Sequence, residues 1–98
     1  MDSDADLAGV RQIVVSRLAP LQARVYLFGS RASGSAHLSS DVDVAVLPLS
    51  PLPAGLLAEV REALEDSLIP LRVDLVDLSE TDSHFREAVL RDGIPWAG

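Results

Sequence analysis

Apolar positions recur along this chain at two spacings, and the switches between them predict its elements. Leu7, Val10, Val14, Leu18 and Leu21 fall three or four apart, the spacing that lines one face of a helix. Residues 4–18 therefore read as helical. Ser3 and Asp6 resemble a capping box, with Asp where Glu or Gln is usual, and Pro20 marks the end. Residues 25–28 form a short apolar strand. Residues 29–40, rich in Gly, Ser and Ala, read as a loop with space for one helical turn. Residues 41–47 give a second strand, and its few polar positions after Asp43 predict a central place in a sheet. Pro48, Pro51 and Pro53 stiffen the next connection. Residues 54–68 form an amphipathic helix with Leu57, Val60, Leu64 and Leu68 on one stripe, closed by Pro70. Residues 71–78 form a third strand. Residues 83–92 form a last helix, with Ser83 at its N-cap and Gly93 at a left-handed C-cap. Ile94 and Trp96 are expected to fold back onto the core.

The order is helix, strand, loop or helical turn, strand, helix, strand, helix. It predicts an α/β (α+β-like) fold with a short three-stranded mixed sheet flanked by helices. The first two strands can run antiparallel, which returns Asp41 towards Gly29 and Ser30. The helix at 54–68 can serve as the right-handed crossover between parallel second and third strands. Both of those strands then start at one edge of the sheet, with Asp74 near Asp41 and Asp43. At 98 residues, the chain is expected to form a single domain.

Composition narrows the chemistry. The chain has no cysteine and two isolated histidines, which removes disulfides, thiolate chemistry and cysteine zinc sites. All eight basic residues are arginine, and the formal net charge is −7. That balance disfavours direct nucleic-acid binding, which depends on neutralising phosphates. No run of 18 apolar residues offers a membrane span. The start, MDSDADLAG, lacks the basic region of a signal peptide, so a cytoplasmic location is expected.

Two features carry chemistry. Asp41 and Asp43 share one face of their strand by period-two geometry. Like charges side by side destabilise a strand, and a divalent cation is the usual reason to keep them. Mg²⁺ prefers hard oxygens and combines one or two carboxylates with substrate phosphates. Gly29 and Ser30 end the preceding strand. Glycine lets a backbone approach a phosphate closely, and backbone N–H groups with the Ser30 hydroxyl can bond its oxygens. Each feature alone is common. Gly-Ser at a strand end, ten residues, then Asp-x-Asp opening an apolar strand is a far more specific combination.

The residues Gly29, Ser30, Arg31, Gly34, Ser40, Asp41, Val42 and Asp43, with Val73-Asp74-Leu75 downstream, resemble the DNA polymerase β-like nucleotidyltransferase superfamily. The likeness is greatest to its minimal single-domain branch, the MNT antitoxins paired with HEPN toxins, and covers nearly all of residues 1–98. It implies two Mg²⁺ ions on Asp41 and Asp43, with Asp74 as third carboxylate holding the catalytic ion. It implies ATP as substrate, its phosphates gripped by Gly29 and Ser30, with Arg31 and Ser40 also in the nucleotide site. It implies transfer of AMP to a hydroxyl of a partner HEPN toxin, most readily a tyrosine, in a hetero-oligomer. A module that neutralises its partner by docking alone, and a transferase acting on a small molecule, are the alternatives. Ser33 stands where the family motif has a second arginine, so one triphosphate contact is in question. Asp77, three residues from Asp74, faces the other side of the strand and is expected near a strand end. Arg72 shares the face of Asp74, with a structural ion pair as its expected role. His37 is expected in the exposed loop and His84 in the first turn of the last helix.

Overall fold

The structure is a computed structural model, and it describes residues 3–29 and 41–97, with backbone only for 3 and 4. Helix α1 spans Ser3–Leu18. It buries Val10, Val14 and Leu18 completely, one residue per turn on a single face. The Ser3 side chain of the expected capping box lies outside the described residues. Strand β1, Ala23–Phe28, pairs antiparallel with β2, Val42–Pro48. Helix α2, Leu56–Asp66, then crosses to β3, Val73–Asp77, which lies parallel to β2. A short 3-10 turn, Leu78–Glu80, leads to helix α3, Ser83–Asp92, and to β4, Ile94–Ala97.

The sheet has four strands in the order β3-β2-β1-β4, not the three expected. The closing segment does return to the core, but as an antiparallel edge strand on β1. Proline at 95 is tolerated there because an edge strand leaves one row of N–H groups without a ladder partner. The pairing slips between Val25 and Tyr26, so Trp96 is the extra residue and turns inward. It is buried, whereas Ile94 stays 43% exposed.

Period-two alternation sorts β2 between two cores. Val42, Val44 and Val46 join Val25, Leu27 and Leu75 beneath α1 and α2. Ala45 joins Tyr26, Leu78 and Val89 beneath α3. Burying each such aliphatic side chain contributes about 1.5–3 kcal/mol. Asp43 has the parity of Ala45 and so lies on the α3 side of the sheet, and β2 is internal, as its composition predicted.

Several boundaries differ from expectation for local reasons. Helix α2 is shorter at both ends than 54–68. Gly55, at φ 80°, precedes it, and the extended Ser67 ends it. Leu68 therefore falls off the helical stripe and is 99% exposed. The N-cap of α3 is Asp82, not Ser83. Asp82 has extended backbone, and its carboxylate accepts the Phe85 N–H at 2.9 Å. Gly93 is not left-handed but extended, at φ −74°. Its lack of a side chain matters because a Cβ would lie 2.6 Å from the Val89 carbonyl oxygen and 3.3 Å from that of Leu27. The chain turns there from α3 directly onto β1.

Candidate functional site

One edge of the sheet collects the end of β1 and the starts of β2 and β3. Along it, Phe28 pairs with Asp43, and Asp43 pairs with Asp74 on its other side. The Val42 N–H donates to the Arg72 carbonyl at 2.8 Å, which locks this register where the two parallel strands begin. The central strand thus carries one carboxylate flanked by a second from its neighbour. Asp41 stands just before β2 and is exposed, Asp43 is half-buried and Asp74 is exposed.

The electrostatics follow from that placement. Partial burial raises the Asp43 pKa above its ordinary value of 3.8, and the negative charges of Asp74 and Asp41 raise it further. Asp43 therefore senses the charges of both neighbouring aspartates. Among the described residues no group of three or more acidic, histidine or cysteine side chains is already gathered closely enough to hold a metal ion. Bare carboxylates repel, and a cation between them is what draws such a set together. The donor set itself, all hard oxygen at one sheet edge, fits Mg²⁺.

Gly29 closes the other side of the site. It has φ 79°, a region that side-chain-bearing residues avoid. A Cβ there would collide with Oδ2 of Asp43 and lie 3.2 Å from its Cγ. Two constraints therefore select glycine: the turn out of β1 and the carboxylate packed against it. Gly29 itself is exposed.

Other sequence-based assignments divide clearly. Ser30, Arg31, Ser33, His37 and Ser40 lie outside the described residues. Asp77 ends β3, and its carboxylate accepts the Ser79 N–H at 2.9 Å and the Ser79 hydroxyl at 2.6 Å, so it caps the 3-10 turn. Its position at a strand end agrees with the sequence. His84 lies in the first turn of α3, as expected. Arg72 departs from expectation: among the described residues the one ion pair joins Arg91 to Asp92, so Arg72 makes none with Asp74. Arg72 instead works through its backbone carbonyl at the strand junction. Arg61 donates to the Leu75 carbonyl at 2.9 Å and covers part of the open edge of β3.

Sequence reasoning passed over an aromatic pair, one member of which, Phe28, is the register partner of Asp43. Phe28 and Phe85 meet edge to face, with centroids 5.7 Å apart and planes at 84°. The signal was present: Phe28 shares a strand face with Tyr26, and Phe85 lies one helical turn from Val89.

The fold is an α/β domain whose mixed sheet sets two strand-borne aspartates side by side against a glycine turn. The polymerase β nucleotidyltransferase model matches residues 19–95, and the chain belongs to that family. It is 33% identical over 89 residues to the probable protein adenylyltransferase MntA of Haemophilus influenzae, covering 91% of this chain and 77% of that protein. A solved structure assigned as a minimal nucleotidyltransferase superposes with a TM-score of 0.76 at 36% identity, covering 97% of this chain and 96% of that one. A tri-AMPylated Shewanella oneidensis HEPN toxin in complex with its MNT antitoxin matches with a TM-score of 0.66 at 26% identity, covering 98% of this chain and 72% of that one. Among the described residues no helix is long and apolar enough to cross a membrane.

Proposed function

We propose that residues 1–98 work as one minimal nucleotidyltransferase domain, a cytoplasmic antitoxin that moves AMP from ATP to a hydroxyl of a partner HEPN toxin. The observation that carries this reading is the placement of Asp43, opposite Asp74 and against Gly29. It unites a carboxylate pair with a backbone open to phosphate. The Haemophilus relative is named as a protein adenylyltransferase, and the Shewanella toxin in the similar complex is AMPylated. Both support the choice of AMP and of a protein acceptor.

The chemistry assigns each residue a task. Gly29 and Ser30 grip the β- and γ-phosphates of ATP, and Arg31 and Ser40 complete the nucleotide site. The acceptor oxygen attacks the α-phosphorus, a new P–O bond forms, and the bond to pyrophosphate breaks. Asp41, Asp43 and Asp74 would hold Mg²⁺, two ions by family resemblance. When bound, Mg²⁺ supplies charge stabilisation to the attacking and leaving oxygens of such an in-line displacement. Asp74, exposed at the outer side of the pair, would also help activate the acceptor hydroxyl. A tyrosine suits an open site because its long, rigid side chain reaches where serine would need close backbone approach.

The test is mass spectrometry of the HEPN partner after incubation with this protein, ATP and Mg²⁺. One or more added AMP units, absent with Asp41→Asn or Asp74→Asn, is the expected result. Full toxin inhibition with no mass change would instead identify a docking module.

A further inference from the structure

Strand β3 carries Asp74 with support on one side only. It has five residues, lies at an edge of the sheet and pairs with β2 alone. The backbone groups along its outer side therefore have no ladder partner. Asp74 is its second residue, close to the end where an edge strand opens most readily. Among the described residues the Asp74 carboxylate accepts no hydrogen bond, whereas that of Asp77 is held by Ser79. The place of Asp74 is thus set by its backbone. Two contacts bracket that backbone. On the inner side the Val42 N–H donates to the Arg72 carbonyl at 2.8 Å. On the outer side, one residue beyond Asp74, Nη2 of Arg61 on α2 donates to the Leu75 carbonyl at 2.9 Å. Arg61 and Asp74 also line one cleft of about 300 Å³ between α2 and β3, without forming an ion pair.

We propose that Arg61 is a positioning residue for the transfer reaction: its bond to the Leu75 carbonyl fixes the open edge of β3 and so holds the Asp74 carboxylate opposite Asp43. The inference rests on the nucleotide-transfer reading above and adds a residue from α2, outside every motif of the site. Arg61 stands in for the strand that β3 lacks on its outer side. Arginine suits the task because its planar fork of donors is preorganised and loses less freedom per hydrogen bond than lysine does. The effect on chemistry follows from geometry: a misplacement of about 1 Å at a reacting group can cost about a hundredfold in rate. Outer partners that orient a metal-binding side chain typically account for about ten- to a hundredfold in activity.

Steady-state transfer from α-labelled ATP to the HEPN partner tests this in Arg61→Leu, Arg61→Lys and Arg86→Leu. Arg86 is the control: it too donates to backbone carbonyls, those of Leu78 and Thr81 at 3.0 Å each, but beyond the far end of β3. In Arg61→Leu kcat should fall about ten- to a hundredfold, with the KM for Mg-ATP unchanged because Gly29 and Asp43 stay in place. Arg61→Lys keeps a donor and should recover most of that loss, and Arg86→Leu should keep the parental kcat. Amide hydrogen exchange followed by NMR gives a readout free of catalysis: Val73–Asp77 should exchange faster in Arg61→Leu, while Ala23–Phe28 keeps its parental rates. Parental kcat in Arg61→Leu, or equal losses in Arg61→Leu and Arg86→Leu, would overturn the positioning role and leave the transfer reading intact. So would a raised KM with kcat kept, which marks a contact to substrate. If Arg61→Leu does not fold, Arg61→Lys carries the test: kcat and exchange that stay parental together, or change together, support the proposal, and a lower kcat with parental exchange overturns it. A parent that transfers no AMP would overturn the transfer reading and this inference together.

Discussion

Replacing Gly29 by alanine probes the join between the glycine turn and Asp43, and Gly55 supplies an internal control. Both glycines have nearly the same backbone, φ 79° and φ 80°. A Cβ in the left-handed region costs about 1–2 kcal/mol, offset by roughly 0.4–1 kcal/mol from the reduced freedom of the unfolded chain. Gly55→Ala bears only this net cost, because nothing lies within 4 Å of its Cβ position. Gly29→Ala must also push the Asp43 carboxylate aside, with its Cγ at 3.2 Å and Cβ at 3.4 Å. Forcing that side chain off its rotamer adds about 0.5–1.5 kcal/mol. The gap between the two variants should therefore be near 1 kcal/mol, or about 4–8 °C in Tm for a domain of this size. Thermal unfolding followed by circular dichroism measures it. Combining Gly29→Ala with Asp43→Ala should recover most of the gap, since the colliding group is gone. Label transfer from α-labelled ATP should vanish in Gly29→Ala and persist in Gly55→Ala. Equal melting of the two glycine variants, or strict additivity in the double variant, would refute the contact between Gly29 and Asp43.

Other outcomes follow from the same geometry. Asp43 has a folded-state pKa above its ordinary value, so its ionised form destabilises the fold; Asp43→Asn should raise Tm at neutral pH while abolishing transfer. That gain should fade as pH falls through the raised pKa to 3.8, because the native aspartate then protonates and loses its repulsion; a gain that persists at lower pH would point to another cause. Mg²⁺ with ATP should raise Tm, by about 2.7 kcal/mol of stabilisation at a hundred times the dissociation constant; a flat response at millimolar Mg-ATP would count against a working site. Asp77→Ala should lose about 1 kcal/mol with its cap on Ser79 yet keep label transfer, whereas Asp74→Asn, which relieves repulsion on Asp43, should melt no lower than the parent and lose it. An inactive Asp77→Ala domain that remains folded would reverse the assignment of these two aspartates.

The sequence by itself determined the elements whose signal is local. Val10, Val14 and Leu18 declared a buried helix face. The run from Val42 to Leu47 declared an internal strand. Gly29-Ser30 followed by Asp41-x-Asp43 carried the likeness to the nucleotidyltransferase family that the match over residues 19–95 bears out, because a glycine turn and a carboxylate pair are both encoded within a few residues. Periodicity also separated Asp74 from Asp77, since opposite strand faces follow from spacing alone. Tertiary structure decided what depends on pairing between distant segments. Asp43 opposite Asp74 requires a particular parallel register, fixed where the Val42 N–H meets the Arg72 carbonyl. Strand β4 exists only because Gly93 permits a tight turn that lays Ile94–Ala97 along β1; four residues containing proline carry no strand signal of their own. The meeting of Phe28 and Phe85 depends in the same way on α3 docking over β1. Local patterning reports which face a residue occupies, while the identity of its neighbour is set by how separate elements pack.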